Sequence, residues 1–145
     1  MPNHFWDSVS LSKRLYAKWM TPLSKQYQLT RMELDILLFL ANNPGYDTAA
    51  DIIHTRQLTK SHVSSSVDRL VSLGYLERTY QPGNSKLIHL SILPAAAPLV
   101  EAGRFAQQQF YQALFRGFTP EERKSLEYLS KKIGENLRDA LEGAQ

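Results

Sequence analysis

A chain of 145 residues fits one domain of ordinary size, large enough to bury a core without disulfides or a structural metal. Hydrophobic residues at 43% and charged residues at 21% exclude intrinsic disorder, and the absence of cysteine excludes a disulfide framework, a Cys-ligated zinc site, an iron–sulfur cluster and a thiol switch. Lys plus Arg at 17 against Asp plus Glu at 14 leaves a net charge of +3, which allows an anionic partner without demanding one.

The first helix is expected from about His4 to Tyr27, where Phe5, Val9, Tyr16, Trp19, Met20 and Leu23 recur at helical spacing. Trp6 and Leu15 widen its apolar face beyond what one small domain covers, which points to a partner subunit. Thr30 followed by Glu33 is a capping box and starts a second helix, apolar on most sides from Leu34 to Ala41 and stopped by Asn42 to Gly45. Asp47 or Thr48 caps a short third helix to about Arg56. Thr59 caps a fourth, with Val63, Val67, Leu70 and Val71 on one face and Gly74 at its C-terminal end. Tyr75 to Tyr80 and Lys86 to Ile92 alternate as strands do, joined by a turn over Gln81 to Ser85. Helix returns after Ser91, regular from about Ala95 because Pro94 and Pro98 disturb its first turns, and runs through Phe115 to a stop at Gly117. Thr119-Pro120-Glu121-Glu122 starts the last helix, where Leu126, Leu129, Ile133, Leu137 and Leu141 form a narrow stripe suited to a helix–helix seam.

This order predicts a mainly α chain with a small β-hairpin: a winged helix-turn-helix over about 30–92, flanked by dimerisation helices over about 4–27 and 95–142, in a single domain. The dimer seam would use Phe5, Val9, Tyr16 and Leu23 of the first helix with the leucine and isoleucine stripe of the last. In a helix-turn-helix the second helix enters the major groove, its N-terminal residues nearest the bases. Here that helix is Thr59 to Leu70 and beyond. Opposite Val63, Val67 and Leu70 it carries Ser61, His62, Ser65, Asp68, Arg69 and Ser72, flanked by Lys60 and Ser64. Short hydrogen-bonding side chains let a helix approach base edges, and Lys60 at the helix start suits a phosphate or guanine. The candidate DNA contacts are therefore Thr59, Lys60, Ser61, His62, Ser64, Ser65 and Arg69, with Arg78 and Lys86 of the hairpin. Asp68 is better suited to orienting a neighbour than to reading a base. A solvated, serine-rich surface helix is the bland alternative. Local charge favours DNA: residues 54–92 hold five Lys or Arg against Asp68 and Glu77, whereas residues 119–145 hold five against six acids.

Leu29-Thr30, Ile36 to Leu40, Asn43-Pro44-Gly45, Leu58 to Ser64, Val67 to Leu70, Gly74 to Arg78 and Leu90-Ser91 occur in an order and spacing that resembles the MarR family of bacterial transcription factors. Gly117 to Glu122 resembles the turn before that family's last helix. The resemblance implies an obligate homodimer, a winged helix-turn-helix in each subunit, and repression of transcription relieved by a small ligand. The family's wing tip usually carries an acid and one or two arginines; here it is Gly83-Asn84-Ser85-Lys86, which favours phosphate contact over minor-groove insertion. Ser65 stands where many relatives have a basic residue. The family's effector cleft lies between dimerisation helices and winged part, and Tyr16, Trp19, Phe39, Phe110, Tyr111 and Phe115 are the aromatics that would reach it. Such a lining suits an apolar or phenolic compound, although aromatics at helical spacing more often serve a core or a seam.

Catalysis has no visible site. His4, His54, His62 and His89 form no compact ligand set, no Gly-rich phosphate loop is present, and the serines have no adjacent base. Zinc-sensing relatives carry histidine pairs after the wing, where this chain has none beyond His89. No metal, cofactor or enzyme activity is therefore expected. No run of 18 apolar residues and no signal-peptide pattern over residues 1–16 occur, so a cytoplasmic protein without a membrane partner is expected. Two functions stay open: a dimeric DNA-binding repressor, and a winged-helix adaptor for other proteins that has lost DNA binding.

Overall fold

Four threonines set helix starts. The computed structural model describes residues 3–56 and 58–143, leaving aside the side chains of Arg56, Ser85 and Lys86. Helix α1 spans Asn3–Gln26, α2 Arg31–Asn42, α3 Ala49–Arg56 and α4 Lys60–Ser72; strands β1 (Leu76–Gln81) and β2 (Asn84–Ile92) follow, then a 3-10 turn (Pro94–Ala96), α5 (Ala97–Leu114) and α6 (Pro120–Gly143). Ahead of α2, Thr30 Oγ1 accepts from Glu33 N at 3.1 Å and Glu33 Oε1 from Thr30 N at 2.8 Å. Thr48 and Asp51 repeat that reciprocal box at α3, and Thr119 and Glu122 at α6. At α4, Thr59 Oγ1 accepts from His62 N at 3.4 Å. Each such cap stabilises its helix by about 1 kcal/mol. At the other end of α4, Gly74 at φ 80° turns the chain out, with Tyr75 N–H bonded back to Leu70 O at 3.0 Å.

The architecture is the expected winged helix-turn-helix, mainly α with one antiparallel hairpin. Leu76 pairs with Ile92 and Tyr80 with Ile88. The turn is tighter than the sequence suggested: Gln81 pairs with Asn84, so the hairpin closes on Pro82-Gly83, with Gly83 at φ 81°. Proline at the first and glycine at the second central position suit such a turn. Helix α5 ends at Leu114, short of the expected Phe115, because Gly117 at φ 80° draws Phe115 into the turn. One element went unforeseen: Thr48 bridges to His89, and Leu90 N–H donates to Asp47 O at 2.7 Å, so the lead into α3 adds a rudimentary third strand.

The chain packs as two units, one through Phe110 and one from Tyr111. In the first, α2 is central: Leu34, Ile36, Leu37, Leu38, Phe39 and Leu40 are buried. Around them pack Met20 of α1, Ile52 of α3, Val63, Val67 and Leu70 of α4, Leu76 and Leu90 of the hairpin, and Leu99 of α5. Gly103 lets α5 come close to α2, since a Cβ there would lie 2.5 Å from Leu38 Cδ2. Between α1 and α2, Gln28 takes a left-handed φ of 55° while Leu29 N–H bonds to Ser24 O at 2.8 Å. A non-glycine residue there costs about 1 kcal/mol.

In the second unit, Tyr111 and Phe115 stack with centroids 6.2 Å apart, Phe118 meets Phe115 edge-on at 5.4 Å, and the Arg123 guanidinium lies 4.5 Å over Phe115. No residue of α6 is buried within the chain. Its stripe stays open to water, from 41% exposure at Leu126 to 65% at Leu141.

Candidate nucleic-acid interface

The sequence of α4 decides which side faces outward. Val63, Ser66, Val67 and Leu70 turn inward, so Thr59, Lys60, Ser61, His62, Ser64 and Ser65 all come out exposed around the start of the helix. That end carries the positive pole of the helix dipole, and Lys60 adds a full charge there. Among the described residues Lys60 has no ion-pair partner. Ser65 Oγ donates to His62 O at 3.2 Å, which leaves its oxygen lone pairs outward as acceptors.

Two of the predicted cations are engaged elsewhere. Arg69 reaches back across the domain: Nη1 donates to Glu33 Oε1 at 2.5 Å and Nη2 to Gln28 O at 2.8 Å. It thereby ties α4 to the start of α2. A helical wheel gives the direction in which a side chain leaves its helix, not where a long one ends. Arg78 of β1 pairs with Asp68 of α4, which gives Asp68 the orienting role expected of it. The pair is partly exposed, Arg78 at 28% and Asp68 at 65%. Lys86 falls within β2, and its side chain lies outside the described residues.

The six aromatics divide. Tyr16 and Phe110 meet edge-on with centroids 5.1 Å apart. Phe39 is buried in the core, and Trp19 lines a cleft between α1 and α5 with Leu23 and Phe105. Tyr111 and Phe115 belong to the second unit. Around Tyr16 the structure adds polar groups that sequence reasoning missed. Gln107 Nε2 donates to the Tyr16 hydroxyl at 3.0 Å, Asn42 Nδ2 donates to Gln107 Oε1 at 2.9 Å, and the Arg31 guanidinium stands 5.4 Å from the Tyr16 ring centre. Arg31 Nε is buried without a hydrogen-bond partner. A cation at the first position of a helix meets the unfavourable end of the dipole, so Arg31 is poorly compensated where it stands. No sequence motif marks it.

Of the proposed seam, Phe5, Val9, Tyr16 and Leu23 are half-buried on α1, and Leu126, Leu129, Ile133, Leu137 and Leu141 are exposed on α6. Among the described residues no three His, Cys, Asp or Glu side chains gather as a metal site would need. No described helix is long and apolar enough to cross a membrane.

Residues 27–86 match the model of the MarR family. The fold is that of solved MarR structures. A MarR family transcriptional regulator from Listeria monocytogenes, complexed with 26mer DNA, is 17% identical with a TM-score of 0.82, covering 97% of this chain and 92% of that one. A mutant MarR from E. coli complexed with operator DNA is 22% identical, with a TM-score of 0.67 and coverage of 92% and 94%. MarR from Staphylococcus aureus in complex with salicylate and kanamycin is 18% identical, with a TM-score of 0.73 and coverage of 94% and 92%. No curated protein matches the sequence.

Proposed function

Residues 27–86 are MarR-family sequence set in the MarR fold, and from that premise we propose that the chain is a sequence-specific DNA-binding transcriptional regulator that acts as a homodimer in the cytoplasm. Residues of about 30–92 read the duplex, and those of about 4–27 and 95–142 join the subunits. The carrying observation is the exposed start of α4: a threonine-capped helix end bearing Lys60, Ser61, His62, Ser64 and Ser65, with no bulky apolar side chain to block a groove. Ser61, His62, Ser64 and Ser65 face base edges, while Thr59, Lys60, Arg78 and Lys86 hold phosphates. Arg78 reaches a phosphate by leaving Asp68. Arg69 contacts no DNA and contributes to stability, by tying α4 to the start of α2.

Homodimerisation draws support from α6. Its five-residue stripe is about half exposed in the single chain, and burying the remaining surface of each large aliphatic side chain stabilises an interface by roughly 1 kcal/mol. Regulation is by repression, released when a small apolar or phenolic ligand binds beside Tyr16 and Phe110. The salicylate complex of the Staphylococcus aureus protein and Arg31 beside Tyr16, its Nε without a hydrogen-bond partner, favour a ligand with an anionic group. The protein is not an enzyme and uses no cofactor. The adaptor alternative gains from one observation, that Arg69 and Arg78 both meet acids within the fold.

Selection of duplexes from a random DNA pool separates the two. The regulator enriches an inverted repeat whose half-site centres lie about 10–10.5 base pairs apart. Failure to enrich any duplex at low salt supports the adaptor instead.

A further inference from the structure

The wing packs Leu76 and Leu90 into the core and is tied by polar contacts at both edges. On one edge Arg78 of β1 meets Asp68 of α4. On the other, His89 of β2 places Nδ1 3.0 Å from Asp47 Oδ1, just ahead of α3. Main-chain contacts reinforce the second edge, through Leu90 N–H to Asp47 O at 2.7 Å and the Thr48–His89 bridge. Between the edges, a cleft of about 440 Å³ separates Leu87 and Ile88 of the wing from Ala49 and Ile53 of α3 and Ser64 of α4. A two-stranded hairpin has little stability of its own. Once Arg78 leaves Asp68 for a phosphate, the Asp47 edge is the polar tie that still sets the hairpin's angle.

His89 is an expensive residue for that position. Its side chain is 22% exposed, and Nε2 is buried with no hydrogen-bond partner. An unsatisfied buried nitrogen costs free energy that an aliphatic strand residue would avoid. What the imidazole provides is the Nδ1 contact. A carboxylate only accepts, so Nδ1 supplies the proton of that contact.

We infer that Asp47 and His89 form a latch that holds the wing at the angle to α4 that a DNA duplex requires, which makes them positioning residues for operator binding rather than DNA contacts. This inference rests on the DNA-binding function above. It predicts that losing the latch loosens the wing locally while the core stays intact.

The Leu90 amide reports how firmly this edge is held, since it donates to the main-chain O of Asp47 beside the latch. Amide hydrogen exchange and binding to a duplex selected by the wild type are measured for His89→Leu, Asp47→Ala and His89→Asn. The asparagine keeps an N–H donor near the place of Nδ1. The first two variants should speed Leu90 exchange on the order of tenfold relative to Leu37 and Leu70, and weaken duplex binding roughly 3- to 10-fold, as for the net loss of one ordinary, partly exposed hydrogen bond. His89→Asn should recover most of both. Unchanged affinity in His89→Leu and Asp47→Ala overturns the latch while leaving the DNA-binding function standing. Affinity lost in step with faster exchange at Leu37 and Leu70 also overturns it, because the effect is then global unfolding. A wild type that binds no duplex overturns both.

Discussion

Arg69→Ala should destabilise the fold far more than it weakens DNA binding. The Glu33 side chain is 4% exposed, and its Oε1 accepts from Arg69 Nη1 at 2.5 Å and from Thr30 N at 2.8 Å. Removing the guanidinium leaves a buried carboxylate with the capping bond alone. Breaking a buried pair from one side costs about 3–5 kcal/mol. Arg69 is itself 43% exposed, so water reaches the gap and lowers the cost to about 2–3 kcal/mol. At roughly 3 °C per kcal/mol for a chain of this size, Tm should fall by about 6–9 °C. Thermal unfolding by circular dichroism reads this directly. Adding Glu33→Gln to Arg69→Ala should recover part of the loss, because a neutral amide tolerates burial better than an unpaired carboxylate. Duplex affinity measured well below Tm, and its salt dependence, should change little. The reasoning is refuted if Tm holds within about 1 °C while the salt dependence of binding drops by about two per dimer, one phosphate per subunit.

Ile133→Asp should convert the dimer to a folded monomer in sedimentation, since Ile133 is 43% exposed in the single chain and burial of an unpaired charge is demanded only at the interface; a wild type that sediments as a monomer at micromolar concentration contradicts the seam. Lys60→Ala should weaken every duplex alike, whereas Ser65→Ala should change which bases are preferred, at roughly 1–3 kcal/mol per misread base pair, measured by competition. The opposite pattern would mean that the groove-facing side of α4 is assigned wrongly. Salicylate should weaken duplex binding by the wild type and act less on Arg31→Ala; an equal response in both excludes Arg31 from the ligand site.

Local signals were the legible ones. The boxes at Thr30 and Thr119 and the glycine at position 74 each depend on residues within a few positions, so their spacing predicts the helix ends that the structure displays. The alternation of Leu76, Arg78 and Tyr80 likewise announced the hairpin, and the narrow stripe of α6 announced a face that the single chain leaves uncovered. The hidden features join residues far apart. Arg69 and Glu33 lie 36 positions from each other, and His89 and Asp47 lie 42 apart. No local pattern pairs them, because they meet only in the packed fold, where α1, α4 and the hairpin surround α2. Phe39 shows a second limit. On a helix apolar nearly all round, periodicity gives no means of telling a core aromatic from one that lines a pocket, and Phe39 is buried with its neighbours. The third-strand contact at Thr48 was invisible because a single bridge needs no alternation.

The most direct test of a dimeric duplex reader is the slope of log affinity against log salt for a selected operator. Lys60 and Lys86 from each subunit would neutralise about four phosphates, giving a slope of about −3.6; if both Arg78 side chains leave Asp68 for the backbone, about six phosphates give about −5.4. A slope between those values supports the interface built on α4 and the wing. A slope near zero, or no duplex binding at low salt, contradicts it.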